Sequence, residues 1–139
     1  DRQPQGAETM NHRFLIAILS LFGLIAAGQL TGAELAKGNA CPDLGGVPAC
    51  YLVFGAYGLI FVSALMTGWL RHVLFLASWL PVFALALIAS GLDLAAGPVC
   101  PRAFAVVPQC FLSLALAVAI VWVWILGLRS WQRARPLRS

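Results

Sequence analysis

Four cysteines are the residues of this chain best able to do chemistry, because thiols pair, exchange and bind soft metals. They fall in two segments that echo one another. The first opens Cys41-Pro42 and closes Val47-Pro48-Ala49-Cys50-Tyr51-Leu52; the second opens Cys100-Pro101 and closes Val107-Pro108-Gln109-Cys110-Phe111-Leu112. A fainter echo lies upstream, Leu24-Ile25-Ala26-Ala27-Gly28 against Leu87-Ile88-Ala89-Ser90-Gly91. Two matches in the same order point to a tandem duplication of one unit, helix, cysteine loop, helix.

Each loop places one thiol differently from the other. Proline is favoured at the first helical position, so Pro48 and Pro108 predict helix starts that carry Cys50 and Cys110 within the first turn. The partial positive charge of a helix N-terminus favours a thiolate there. Cys41 and Cys100 lie in the loops proper, which suggests an attacking and a resolving partner in each pair. Because each pair recurs as one unit, the expected disulfides are Cys41–Cys50 and Cys100–Cys110, with proline stiffening both ends of each loop. Three uses remain open at this point. The pairs are permanent braces, or they exchange with each other and with a soluble partner, or four thiolates converge on Zn²⁺ or Cu⁺. Zinc sites favour closer C-x₂₋₄-C spacing, and oxidised thiols bind no metal, so no metal site is expected.

The elements that must hold these loops are read from hydropathy. The chain has 139 residues, 61% hydrophobic and 10% charged, a balance foreign to soluble domains. Four apolar segments approach the roughly 20 residues a helix needs to cross a bilayer core. They cover about 14–35, 50–70, 73–94 and 110–128. No period-two alternation suggests a β-barrel, and helices satisfy every amide locally. The expected fold is an all-α, four-span membrane bundle built from two parallel repeats, 14–70 and 73–128. An N-terminal polar extension, 1–13, precedes them and a basic tail, 129–139, follows. Residues 1–9 lack a start methionine and read as an added or upstream segment, with Met10 as the natural start. The first span resembles a signal peptide but reads as retained, since its loss would break the duplication.

Seven of the nine Lys and Arg residues (Arg2, Arg13, Arg71, Arg129, Arg133, Arg135, Arg138) fall before the first span, after the second or after the fourth. Only Lys37 and Arg102 accompany the cysteines. By the positive-inside rule both termini are cytoplasmic and both loops extracytoplasmic, in a plasma membrane of the bacterial inner type. The net charge of +4 is thus a topology anchor on anionic lipid and not a nucleic-acid arm. Arg71-His72 reads as the tight turn between the middle spans. Gly28-x-x-x-Gly32 and Ala64-x-x-x-Gly68 offer faces for close helix packing within the chain. Pro81 is expected to kink the third span. Trp69 and Trp131 suit interfacial anchoring, whereas Trp79, Trp122 and Trp124 sit deeper. Glu34 and Asp93 read as solvated helix-end acids, and His12 and His72 as interfacial. No phosphate loop, Ser/His/Asp set or nucleotide signature occurs, which sets hydrolysis and phosphoryl transfer aside.

A four-span bundle with one outer cysteine pair after the first span and another after the third resembles the disulfide bond formation protein B family. It is similar also to the vitamin K epoxide reductase family, where Gly46-Val47-Pro48 with Gly55 and Tyr57 resembles a Gly-Ile-Pro stretch. Both families carry Cys-x-x-Cys, whereas the spacings here are x₈ and x₉. The resemblance implies thiol–disulfide exchange, with Cys41, Cys50, Cys100 and Cys110 passing electrons from a soluble thioredoxin-like partner to a membrane quinone. Near the outer face only Arg102, Lys37 and Gln29 are polar candidates for such a site. The alternative from the residues themselves is a non-catalytic accessory or assembly subunit of a larger membrane complex, braced by two structural disulfides.

The expected orientation is checked with a membrane-impermeant maleimide. It should label the four cysteines in intact, reductant-treated cells; labelling only after permeabilisation reverses the topology.

Overall fold

A computed structural model describes the backbone of residues 4–103 and 106–133, with side chains for 10–102 and 106–133. Arg2, Arg135 and Arg138 lie outside the described residues. Four helices dominate: α1 Pro4–Lys37, α2 Ala49–Leu65, α3 Trp69–Ala96 and α4 Gln109–Arg133. Two small antiparallel hairpins join α1 to α2 (β1 Asp43–Leu44, β2 Val47–Pro48) and α3 to α4 (β3 Arg102–Ala103, β4 Val107–Pro108).

The helices form a ring in which α1 packs on α2, α2 on α3, α3 on α4 and α4 back on α1. Contacts along them show an up-down-up-down order. At one end His12 of α1 meets Gly127 of α4, and Arg13 reaches the last carbonyls of α2. At the other end Gln109 of α4 bonds Ala26 of α1, so both hairpins stand at that same end.

Residues 10–37 of α1, α3 and α4 are each long and apolar enough to cross a membrane. Helix α2 is shorter, 17 residues, which spans about 25 Å at 1.5 Å per residue. It ends earlier than the hydropathy predicts because the chain turns at Met66–Gly68 and not at Arg71-His72. Gly68 adopts φ 87°, a left-handed conformation that a side chain resists, and α3 starts directly after it. Arg71 and His72 are therefore in the first turn of α3, and Ala64-x-x-x-Gly68 is a helix end and a turn, not a packing face. Arg13 stabilises that end: its guanidinium donates to the carbonyls of Ala64 (3.2 Å), Leu65 (3.3 Å) and Met66 (2.8 Å). A cation on a helix C-terminus satisfies orphan carbonyls and opposes the negative end of the dipole.

The core is a single column of Ile16, Tyr57, Ile60, Phe75, Val82 and Ile120. Four serines are buried with it. Three of these back-bond to their own helix, Ser20 to Ile16 (2.7 Å), Ser63 to Ile60 (2.6 Å) and Ser78 to Leu74 (2.7 Å). Small polar side chains that satisfy themselves let helices approach closely without orphaned hydroxyls. Large apolar residues face outward instead, among them Phe22, Ile25, Leu80, Ile88 and Trp122. Trp79 packs within the bundle: its Nε1 donates to Ala117 O at 2.8 Å, tying α3 to α4.

The tightest of the glycine contacts is at Gly23, where an added Cβ would sit 2.5–2.7 Å from three ring carbons of Tyr57. Tyr57 is 1% exposed and cannot swing away. Gly28 has a looser fit against Phe54, and Gly32 has open space. Gly23→Ala is expected to destabilise the protein by about 1–3 kcal/mol, the usual cost of overpacking. Gly32→Ala should leave the thermal unfolding midpoint in detergent unchanged.

Candidate functional site

The hairpin end is built from the turn residues upward. Gly38 (φ 74°) closes α1, its N–H donating to Glu34 O at 2.7 Å. Asp43 then pairs with Pro48 and Leu44 with Val47. Gly45 and Gly46, both at positive φ, form the two-residue turn between them. In the second hairpin Arg102 pairs with Pro108 and Ala103 with Val107. The register leaves positions 104–106 between the strands there, against 45–46 in the first. The one-residue difference between x₈ and x₉ is thus absorbed between the paired strands. Both loops close on the same bond, Ala49 N–H to Pro42 O and Gln109 N–H to Pro101 O, each at 2.9 Å.

Disulfides join Cys41 to Cys50 and Cys100 to Cys110, each with a Cα–Cα separation of 6.0 Å. That lies within the usual disulfide range. Pro48 is the N-cap of α2, with extended backbone (φ −61°, ψ 131°), so the helix starts one residue later than its proline predicts. Cys50 and Cys110 are each the second residue of their helices and still within the first turn.

The acids thought to be solvated are engaged. Glu34 Oε2 accepts the N–H groups of Ala40 (2.6 Å) and Cys41 (3.0 Å). Asp93 Oδ1 accepts those of Val99 (2.8 Å) and Cys100 (3.1 Å). Each carboxylate precedes the first cysteine of its loop by seven positions and grips the same pair of amides. The equal spacing in both loops was the signal available in the sequence. Charge-assisted bonds of this kind are roughly twice as strong as neutral ones.

The two pairs differ in burial. In the first, the helix-mouth residue Cys50 is 6% exposed and Cys41 is half-buried; in the second, the loop residue Cys100 is 7% exposed and Cys110 is half-buried. The expected symmetry of loop and helix-mouth thiols therefore breaks at the level of access.

Between the hairpins and the upper helices lies a cavity of about 190 Å³, walled by all four helices. Cys50 and Cys110 both line it, as do Pro42 and Pro101. Its walls are otherwise almost entirely apolar, with Tyr57, Gln109 and Ser113 as the uncharged polar exceptions. Tyr57 O–H lies 3.1 Å from Ser113 Oγ and 3.4 Å from Ser113 O, and Gln109 Nε2 donates to Ala26 O at 3.2 Å. Lys37, Arg102 and Gln29, the polar candidates from the sequence, are exposed and do not line it. His12 and His72 stand at the opposite end, away from the cysteines. The chain matches no family model, no curated protein and no solved structure.

Glu34→Gln keeps an acceptor but loses the charge, which should weaken its loop by about 1–2 kcal/mol. Reduction of Cys41–Cys50 by dithiothreitol should then accelerate about tenfold, the rate equivalent of that energy, with Cys100–Cys110 unaffected. Asp93→Asn should give the mirror result. Mass-tagging of free thiols over time measures both.

Proposed function

We propose that this chain is an integral membrane bundle of two helix–hairpin–helix repeats that carries out thiol–disulfide exchange coupled to a membrane quinone. In this reading the hairpins lie on the extracytoplasmic side of a bacterial inner membrane, both termini lie inside, and a soluble thioredoxin-like protein is the electron donor. The observation that carries it is the shared cavity: one cysteine of each disulfide lines a single apolar chamber at the hairpin end. A permanent brace has no need to face a chamber. Apolar walls with three uncharged polar side chains fit a flat, lipophilic ring with carbonyl groups.

A bound quinone would supply a two-electron, two-proton acceptor. The chain's own residues supply the asymmetry that directs exchange. Cys41 is the reachable residue of its pair, so a donor thiolate attacks its sulfur and forms a mixed disulfide. Cys50 leaves as a thiolate, favoured by its place in the first turn of α2. The donor's second thiol then attacks the mixed disulfide, which releases oxidised donor and leaves Cys41 and Cys50 reduced. Re-forming that disulfide gives up two electrons and two protons, and Cys50 is already at the cavity wall. Tyr57 and Gln109, polar side chains of that wall, would orient the quinone ring by hydrogen bonds.

The second reading is a disulfide-braced accessory subunit of a larger membrane complex. The low exposure of Cys50 and Cys100, and the carboxylate grip on both loops, favour it.

A redox titration of the purified protein separates the two. Exchange requires at least one pair that reduces well above about −300 mV, the usual ceiling for structural disulfides. It requires also that Cys50→Ser trap a mixed disulfide through Cys41 with a soluble thiol protein. If both pairs resist reduction, and each Cys→Ser change only lowers the unfolding midpoint, the brace reading stands.

A further inference from the structure

A second cavity, of about 510 Å³, opens at the end opposite the hairpins, between the start of α1, the start of α3 and the end of α4. None of its lining residues is acidic. Arg71 stands on the first turn of α3, and its charged neighbour is another cation, Arg13, already engaged with the carbonyls of α2. Gly68 caps α3 without a side chain, so no side-chain acceptor meets the first amides of that helix. Trp124 Nε1 and His72 Nδ1, whose rings meet edge-to-face at 5.9 Å, are buried with no partner among the described residues. An indole N–H can only donate, and a buried donor without an acceptor carries its full desolvation cost. Arg71, His72 and Trp124 thus line one cavity whose described lining residues include no carboxylate.

The rest of the wall is apolar, with Ile16, Val123 and Leu128 beside the rings. At its rim Trp69 is 77% and Trp131 48% exposed. Exposed indoles beside a cation are the composition of a lipid headgroup interface. A soluble anion would have no use for these apolar walls.

We propose that this cavity binds the phosphate of an anionic phospholipid, with Arg71 as its charge partner, Trp124 as a second donor and the acyl chains lying along the apolar surface of α1 and α4. This inference is independent of the redox reading and of which membrane face the hairpins occupy.

The test uses the full chain in neutral maltoside micelles, with lipid retention counted by native mass spectrometry. Phosphatidylglycerol should be retained at one per chain and about tenfold more tightly than diacylglycerol of the same chains, the gain from one charge-assisted hydrogen bond. Arg71→Gln should remove that preference, and Trp124→Phe should weaken retention about threefold, less than a charged contact. Lys37→Gln, an exposed cation at the hairpin end and outside the cavity, should change nothing. Should Arg71→Gln fail to fold by circular dichroism, Trp124→Phe against Lys37→Gln decides alone. Equal retention of phosphatidylglycerol and diacylglycerol, or equal losses in Lys37→Gln and the cavity variants, overturns the proposal. Inorganic phosphate that raises the unfolding midpoint of the wild type but not of Arg71→Gln, where phosphatidylglycerol does not, overturns the lipid source in favour of a soluble phosphate.

Discussion

Two carboxylates hold the hairpin end of this molecule together. A helix that stops and re-enters a bundle within about a dozen residues must find partners for the amides of the connecting loop, since orphaned donors away from water are costly. Glu34 and Asp93 each take two of those amides, and in each case one belongs to the first cysteine. With that amide fixed, the following proline carbonyl meets the first amide of the next helix, and the two cysteine Cα atoms come to 6.0 Å. The disulfide then closes a loop already bent to receive it. The order of dependence runs from carboxylate to loop to helix start to disulfide.

Packing beneath this end follows a different constraint. The surface is rich in large apolar side chains, so burial of apolar area discriminates little between inside and outside, and contact quality has to select the fold. Tyr57 shows how. Its ring fills the space left by Gly23, and its hydroxyl reaches Ser113 on the helix across the ring, so one side chain links α1, α2 and α4. Trp79 does the same between α3 and α4 with its indole N–H on Ala117 O. The polar tips of aromatic residues therefore tie helices whose apolar bodies would fit several arrangements.

Much of the helix layout was legible because long apolar runs and two proline-flanked cysteine loops leave few alternatives. The turn at Met66–Gly68 was not, since Met66 and the residues around it are as hydrophobic as a span, and only the backbone at Gly68 marks the break. Arg71-His72 looked like the turn because charge ordinarily marks an interface, but a first helical turn at an interface carries charge equally well. At the site, the cysteine spacing was legible and the carboxylate grip was not. An acid near a helix end is usually solvated, and only the equal seven-residue offset distinguished these two. Gln109 lay hidden within the motif itself, as the variable residue between Pro108 and Cys110, yet it bonds across the bundle to Ala26.

The unequal burial of the two cysteine pairs is the feature that no pattern in the sequence encodes. The loops match in hydrogen bonding, in strand pairing and in Cα separation, so local geometry cannot make Cys50 buried in one and Cys110 half-buried in the other. Ring order does not distinguish them, since α2 and α4 each pack between α1 and α3 and both hairpins sit over one cavity. The difference must come from the particular side chains that cover each loop. Like motifs in equivalent positions of a closed ring acquire unlike access when the residues around them differ. A disulfide with a half-buried loop residue and a buried helix-mouth residue is then a property of the assembled bundle, present in the first loop and reversed in the second.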